Sequence, residues 1–182
     1  MTERETLRIF LRAHGYAVFV IGTFVVALPL AALQLDRVIS LEPPLWCRYV
    51  GIVTFAICGS LSYSAFLPFI TKGRGTAFPT DPPRMLVLVG PYRYTRNPMY
   101  VGNLGMIFSL GLIVRSLWVL VYFVLLAIVT HLYITRHEEP VLEKRFGVEY
   151  TAYKLAVPRW LPALRRAGRQ RARPDAKGGL AE

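Results

Sequence analysis

The chain has 182 residues, 54% of them hydrophobic and 18% charged, with a formal net charge of +11. That length suits a single domain. The apolar residues fall in long blocks instead of interleaving with polar ones at helical or strand period, which argues against a soluble domain; the basic residues gather at block ends and in the tail, which favours an anionic lipid surface over nucleic acid.

Arg4, Arg8 and Arg12 precede a first apolar block over about 16–35, which carries Pro29. A spanning helix needs ~20 apolar residues to cross a ~30 Å core and tolerates a proline. No small-residue cleavage site clearly follows this block, so it is expected to be kept as a span and not removed as a signal peptide. A second span is expected over about 45–70, with Pro68 near its end. Cys47 and Cys58 lie inside it without Cys-x-x-Cys spacing, and free thiols are expected over a disulfide. A third, shorter span over about 98–114 carries Gly102, Gly105, Ser109 and Gly111. Gly102, Gly105 and Ser109 share one face, and close helix packing and clearance for a ligand both account for that. Only Arg115 and Ser116 separate it from a fourth span over about 117–134, so these two are expected to form a tight antiparallel hairpin.

The loops set the expected orientation. The segment before span three carries Lys72, Arg74, Arg84, Arg93 and Arg96 against Asp81, and the tail carries Arg165, Arg166, Arg169, Arg171, Arg173 and Lys177. Between spans one and two, Asp36 and Glu42 balance Arg37 and Arg48. The positive-inside rule then puts both termini and the 71–97 loop in the cytoplasm, and an even number of spans agrees with termini on one side. The expected fold is an all-α, multi-pass membrane protein of about four transmembrane helices with a cytoplasmic amphipathic C-terminal helical segment. The domain is expected over 1–164, and 165–182 is expected to be a disordered basic tail held near anionic lipids.

Two polar segments carry the candidate chemistry. Gly90-Pro91-Tyr92-Arg93-Tyr94-Thr95-Arg96-Asn97-Pro98-Met99-Tyr100 leads into span three. Pro98 suits a first helical turn, whose free N–H groups and positive dipole end favour an anion. Arg93 and Arg96 add cationic donors, and Tyr92, Tyr94 and Tyr100 add aromatic faces. The second segment, Arg136-His137-Glu138-Glu139-Pro140, follows span four. Adjacent carboxylates there, at what reads as a helix C-terminus, are unfavourable unless solvated or paired, for instance with Arg93 or Arg96. The hairpin should bring the two segments together. A site with Arg93, Arg96 and a helix N-terminus on one wall and Glu138 and Glu139 on the other suits a zwitterionic ligand with an aromatic group, such as S-adenosylmethionine. Beyond Pro140, Leu142, Phe146, Tyr150 and Tyr153 lie three or four apart, with Glu143, Lys144 and Arg145 opposite. One or two short amphipathic helices are expected there, as a lid or as an interfacial anchor.

The ordered set from about 75 to 162 resembles the isoprenylcysteine carboxyl methyltransferase and phospholipid methyltransferase superfamily. It comprises Leu86-Val87, Gly90-x-Tyr92, Arg96-Asn97-Pro98-x-Tyr100, Glu138-Glu139, Phe146-Gly147, Glu149-Tyr150, Tyr153 and Val157-Pro158-Arg159. The resemblance implies an integral membrane methyltransferase that uses S-adenosylmethionine without a metal, by direct displacement at the sulfonium methyl. It implies cofactor contacts at Met85, Leu86, Val87, Tyr92, Asn97, Pro98, Met99, Tyr100 and Glu138. Glu139 completes the diacidic motif, and Arg136, Tyr100 and Glu139 are the candidate catalytic residues. The cofactor would enter from the cytoplasm and a lipophilic acceptor from the bilayer, a bacterial inner membrane being the expected location. The prenylcysteine enzymes usually have histidine where this chain has Asn97, which is closer to the phospholipid enzymes. The Gly-x-Gly element of the latter is reduced here to Gly59-Ser60.

Two other readings compete. Sterol reductases share a related architecture and a similar Gly-x-aromatic…Arg-x-x-x-Tyr stretch but use NADPH, and a non-catalytic membrane adaptor would bind neither cofactor. Gly73-Arg74-Gly75 is not a dinucleotide fingerprint, because a span and not a strand precedes it. His131 and His137 match no metal-ligand spacing, and His14 reads as a boundary residue.

Overall fold

The computed structural model describes residues 3–38, 42–71 and 85–161, with side chains for all of these but 3–9 and 69–71. The loop residues Lys72, Arg74, Asp81 and Arg84, the Gly73-Arg74-Gly75 run and the basic tail lie outside the described residues, as do the side chains of Arg4 and Arg8. The described residues are helices and turns, without a strand.

The first helical stretch runs through α1 (Glu3–Val20), a π turn (Ile21–Ala27), α2 (Leu28–Ala32) and a 3-10 turn (Leu33–Arg37). The π turn lies just before Pro29. In its wider register the Leu28 N–H reaches the Thr23 carbonyl. The next donor would serve the Phe24 carbonyl, but proline has none. The Tyr122 hydroxyl serves that carbonyl instead, at 2.9 Å. The expected span of 16–35 therefore sits inside a longer helical run.

Helix α3 (Trp46–Thr71) packs along α4 (Pro98–Val114), and α4 packs against α5 (Leu117–Tyr133). Three stretches, Phe10–Arg37, Trp46–Pro68 and Leu117–Ala156, contain helix long and apolar enough to cross a membrane. At 17 residues α4 is shorter, about 26 Å at 1.5 Å per residue. It is mostly apolar and packs against both α3 and α5.

The small residues of α4 serve that packing. A Cβ on Gly102 would lie 2.7 Å from both the nitrogen and Cβ of Ser62 and 2.8 Å from the Cys58 carbonyl, and one on Gly105 would collide with the Cys58 sulfur. Ser109 reaches the Thr54 hydroxyl at 2.8 Å, and Ser62 donates to Asn103 Oδ1 at 2.7 Å. The shared face is thus a helix–helix seam and not clearance for a ligand. Both cysteines, Cys47 and Cys58, are free.

The α4–α5 hairpin turns on two residues. Arg115 takes the left-handed conformation that ends a helix (φ 58°), and Ser116 caps α5 by accepting from the Val119 N–H at 3.2 Å. Arg115 also pairs with Glu42 at 3.0 Å and donates to the Pro43 carbonyl at 2.8 Å, tying the hairpin tip to the loop before α3.

The end of α5 departs from the sequence reading. The helix does not stop at 134 and leave Glu138 and Glu139 at a C-terminus. It continues through a second π turn (Ile134–Glu138) into α6 (Glu139–Ala156). The reason repeats that at Pro29. Pro140 follows the widened turn, in which the Glu139 N–H reaches back five residues to the Ile134 carbonyl. The proline ring is accommodated without ending the helix, and the two acids escape the unfavourable end of a dipole. A break comes later, at Gly147, whose backbone (φ 52°, ψ −126°) favours glycine and divides α6 in two. Tyr150, Tyr153 and Val157 then bury against Leu86, Leu88, Leu142 and Phe146, so the amphipathic face packs on the 86–88 segment.

Candidate active site

The open end of the α4–α5 hairpin gathers the two polar segments. The first wall begins with an extended stretch that buries Val87 and, through a 3-10 turn at Gly90–Arg93, Tyr92. Val87 and Tyr92 pack with Ala65 of α3, and Met99 joins them. The Tyr153 hydroxyl donates to the Tyr92 carbonyl at 2.7 Å. Asn97 precedes α4 and Pro98 opens it, and Asn97 places no side-chain bond on the helix N-terminus. Its amide instead donates to the Arg159 carbonyl at 3.2 Å. The first turn of α4 is thereby left without a cap from the Asn97 side chain.

The second wall is the π turn. Its glutamates are neighbours with different partners. Glu139 is buried and accepts from Arg96 Nη1 at 2.9 Å, Arg159 Nε at 2.7 Å and Arg159 Nη2 at 2.9 Å, with Lys154 Nζ at 3.9 Å. Burial raises its proton affinity, but the Arg159 hydrogen bond and the charges of Arg96, Arg159 and Lys154 more than offset that, so its carboxyl is held below its ordinary value. The same bond holds the Arg159 guanidinium above its own usual range. Glu138 is half-buried and accepts one hydrogen bond, from the Tyr100 hydroxyl at 2.9 Å. Among the described residues no ion pair reaches it. Burial raises its carboxyl above the ordinary range; the Tyr100 bond opposes this and the Glu139 charge adds to it. Tyr92 and Tyr133 lie within electrostatic range of Tyr100, and His137 stacks on Tyr133 with ring centroids 5.9 Å apart. The Tyr150 phenol is pushed up to about 12, first by burial and then by Glu139.

Two adjacent acids driven in opposite directions point to two roles. Glu139 is spent on internal cations and holds the walls together. Glu138 is a desolvated carboxylate whose hydrogen bond, among the described residues, comes from a neutral phenol and not from a cation. Close by, Arg96 has nine-tenths of its side chain buried, and its Nε–H is a buried donor without a partner among the described residues. Among the described residues the carboxylate lacks a cation and the guanidinium keeps an unused donor.

The expected site residues divide as follows. Leu86, Val87, Tyr92, Asn97, Pro98, Met99, Tyr100 and Glu138 lie in or directly behind the two walls. Met85 is exposed at the start of the extended stretch. Arg96 joins the ion cluster, whereas Arg93 is exposed on the 3-10 turn and stays outside it; the expected pairing of the acids thus falls to Arg96 alone of those two. Arg136 is exposed on the π turn and does not enter the cluster. Sequence reasoning passed over Arg159, Lys154 and Thr95 as site residues. A signal was available: a buried carboxylate needs several cations and donors, and Arg159 and Lys154 are basic residues within reach of it.

A family model for phospholipid methyltransferases matches residues 46–149. No curated protein and no solved structure matches the chain.

Proposed function

Since this chain belongs to the phospholipid methyltransferase family, with more than half of its residues inside the match, we propose that it transfers a methyl group from S-adenosylmethionine to a lipophilic membrane acceptor. The acceptor is a phospholipid amine or an isoprenylcysteine-like carboxylate. The observation that carries the reading is the pair Glu138 and Glu139, the first without a cation among the described residues and the second held by Arg96, Arg159 and Lys154. A protein needing only a structural ion cluster has no use for the first.

The residues take distinct tasks. Glu138 accepts the ammonium of the cofactor, and the Tyr100 hydroxyl fixes the carboxylate that does so. Arg96 Nε and the first turn of α4 offer donors to its carboxylate. Tyr100 and Tyr133 supply faces to its sulfonium. When bound, S-adenosylmethionine supplies an electrophilic methyl group. Holding the acceptor in line with that methyl and excluding water contribute most of the rate, for which good orientation gives ~7–11 kcal/mol. The acceptor arrives laterally from the bilayer and the cofactor from the cytoplasmic face, which is the face where both polar walls lie under the positive-inside orientation.

Purified protein incubated with methyl-labelled S-adenosylmethionine and a lipid extract tests this. Label in a lipid product, identified by mass spectrometry, is the expected result and names the acceptor. No labelled product from phospholipid or prenylcysteine acceptors overturns the reading.

A further inference from the structure

The segment after α6 does more than end the fold. Its backbone holds the first wall at three points. The Arg96 N–H donates to the Pro158 carbonyl at 2.9 Å, and the Thr95 hydroxyl and the Asn97 amide donate to the Arg159 carbonyl at 2.9 and 3.2 Å. Its side chain holds the second wall: the Arg159 fork takes both oxygens of Glu139, at 2.7 and 2.9 Å. Trp160 then ties the segment to the end of α5 by donating to His131 Nδ1 at 3.1 Å. One residue therefore spans both walls, its carbonyl on Thr95 and Asn97 and its guanidinium on Glu139. Tyr100 begins three residues beyond Asn97, and Glu138 adjoins Glu139, so the separation of Tyr100 from Glu138 follows from that grip.

We infer that Arg159 is a positioning residue that fixes the Glu138 wall against the Tyr100 wall, and with it the Tyr100–Glu138 contact, without touching a ligand bound at Glu138. A planar two-point fork fixes orientation as well as distance, which a point charge does not. The inference rests on the methyl-transfer reading for what binds at Glu138, but the coupling of the walls is independent of it.

Two readouts separate them. The first is calorimetric titration of S-adenosylmethionine into wild type, Arg159→Gln, Arg159→Lys and the charge control Arg145→Gln, whose target is exposed on α6. Affinity should fall on the order of tenfold in Arg159→Gln, as expected if the displaced wall costs the ligand about one hydrogen bond to a charged group. It should recover only partly in Arg159→Lys and stay at the wild-type value in Arg145→Gln. The second readout is hydrogen exchange without ligand, in which residues 95–100 and 134–139 should lose protection together in Arg159→Gln or, if that variant does not fold, in Arg159→Lys. Wild-type affinity in a folded Arg159 variant overturns the inference, as does unchanged exchange in either wall. Wild-type protein that binds no S-adenosylmethionine overturns the methyl-transfer reading instead, and the exchange experiment still decides whether Arg159 couples the walls.

Discussion

The Tyr100 hydroxyl donates a 2.9 Å hydrogen bond to Glu138 across the open end of the α4–α5 hairpin. It is the one contact that lowers the proton affinity of a carboxyl which burial and Glu139 both raise. Tyr100→Phe removes it, and Glu138 then protonates at higher pH. A hydrogen bond to a charged group is worth ~1.5–3 kcal/mol, so the acid-side midpoint of cofactor binding should move up by about one to two pH units. Binding measured across pH checks this, and an unmoved midpoint would separate Glu138 from the ligand's ammonium.

Glu138→Ala removes the cation's partner and should weaken S-adenosylmethionine binding about 30-fold or more, from the ~2–5 kcal/mol that truncating one member of a buried charged pair costs. Calorimetry gives the number directly; unchanged affinity refutes the assignment. Glu139→Gln acts differently. It leaves Arg96, Arg159 and Lys154 facing one another, and should destabilise the protein by about 2–3 kcal/mol, toward the low end because Arg159 and Lys154 keep some water. Thermal melting in detergent distinguishes the two.

The two glutamates should also give stability opposite pH dependences. The Glu139 carboxyl is held low in the folded state, so its contribution is present above the unfolded value near 4.5 and is lost as pH falls through its lower folded value. The Glu138 carboxyl is held high, so its contribution is complete below 4.5 and is lost as pH rises through its raised folded value. Glu138→Gln should therefore melt higher than wild type at neutral pH, with the difference vanishing below 4.5. Glu139→Gln should melt lower at neutral pH and show a weaker acid transition. Melting curves across this range check both signs.

The α3–α4 seam has no room for a methyl group at Gly102. Gly102→Ala should destabilise by about 1–3 kcal/mol through overpacking against Ser62 and the Cys58 carbonyl. Gly22→Ala, where a Cβ meets nothing within 4 Å, should be neutral or slightly stabilising. Melting temperatures of the pair test whether α3 and α4 meet at this seam.

Pro140 keeps the second π turn in register. Pro140→Ala restores an N–H that can bond the Arg136 carbonyl four residues back, so the turn should tighten to α geometry and rotate Glu138 away from Tyr100. Cofactor affinity should drop several-fold while the melting temperature holds or rises. Equal affinity in the variant would show that the π turn does not set the site.

The apolar blocks were legible because their length alone implies spans, and the two-residue link at Arg115-Ser116 implied that the segments near Tyr100 and Glu138 would meet. What could not be read was how the chain passes its prolines. Pro29 was expected to be tolerated within a span and the acids before Pro140 to lie at a helix end; both prolines instead follow π turns, the first with a tertiary partner, the Tyr122 hydroxyl on the Phe24 carbonyl. The pairing of the acids was only half legible. A cation for the glutamates was expected, and Arg96 supplies it, but the larger part comes from Arg159, which follows α6 and reaches Glu139 only once Gly147 has turned the chain. The small-residue face of α4 was ambiguous for a simpler reason: periodicity says which residues share a face, and only coordinates say what that face meets.

Glu138 and Tyr100 are proposed to form part of a site for S-adenosylmethionine. Titrating the purified protein in parallel with S-adenosylmethionine and NADPH tests it most directly. The account predicts saturable binding of S-adenosylmethionine that is largely lost in Glu138→Ala, with no response to NADPH. Tight NADPH binding with no response to S-adenosylmethionine would contradict it.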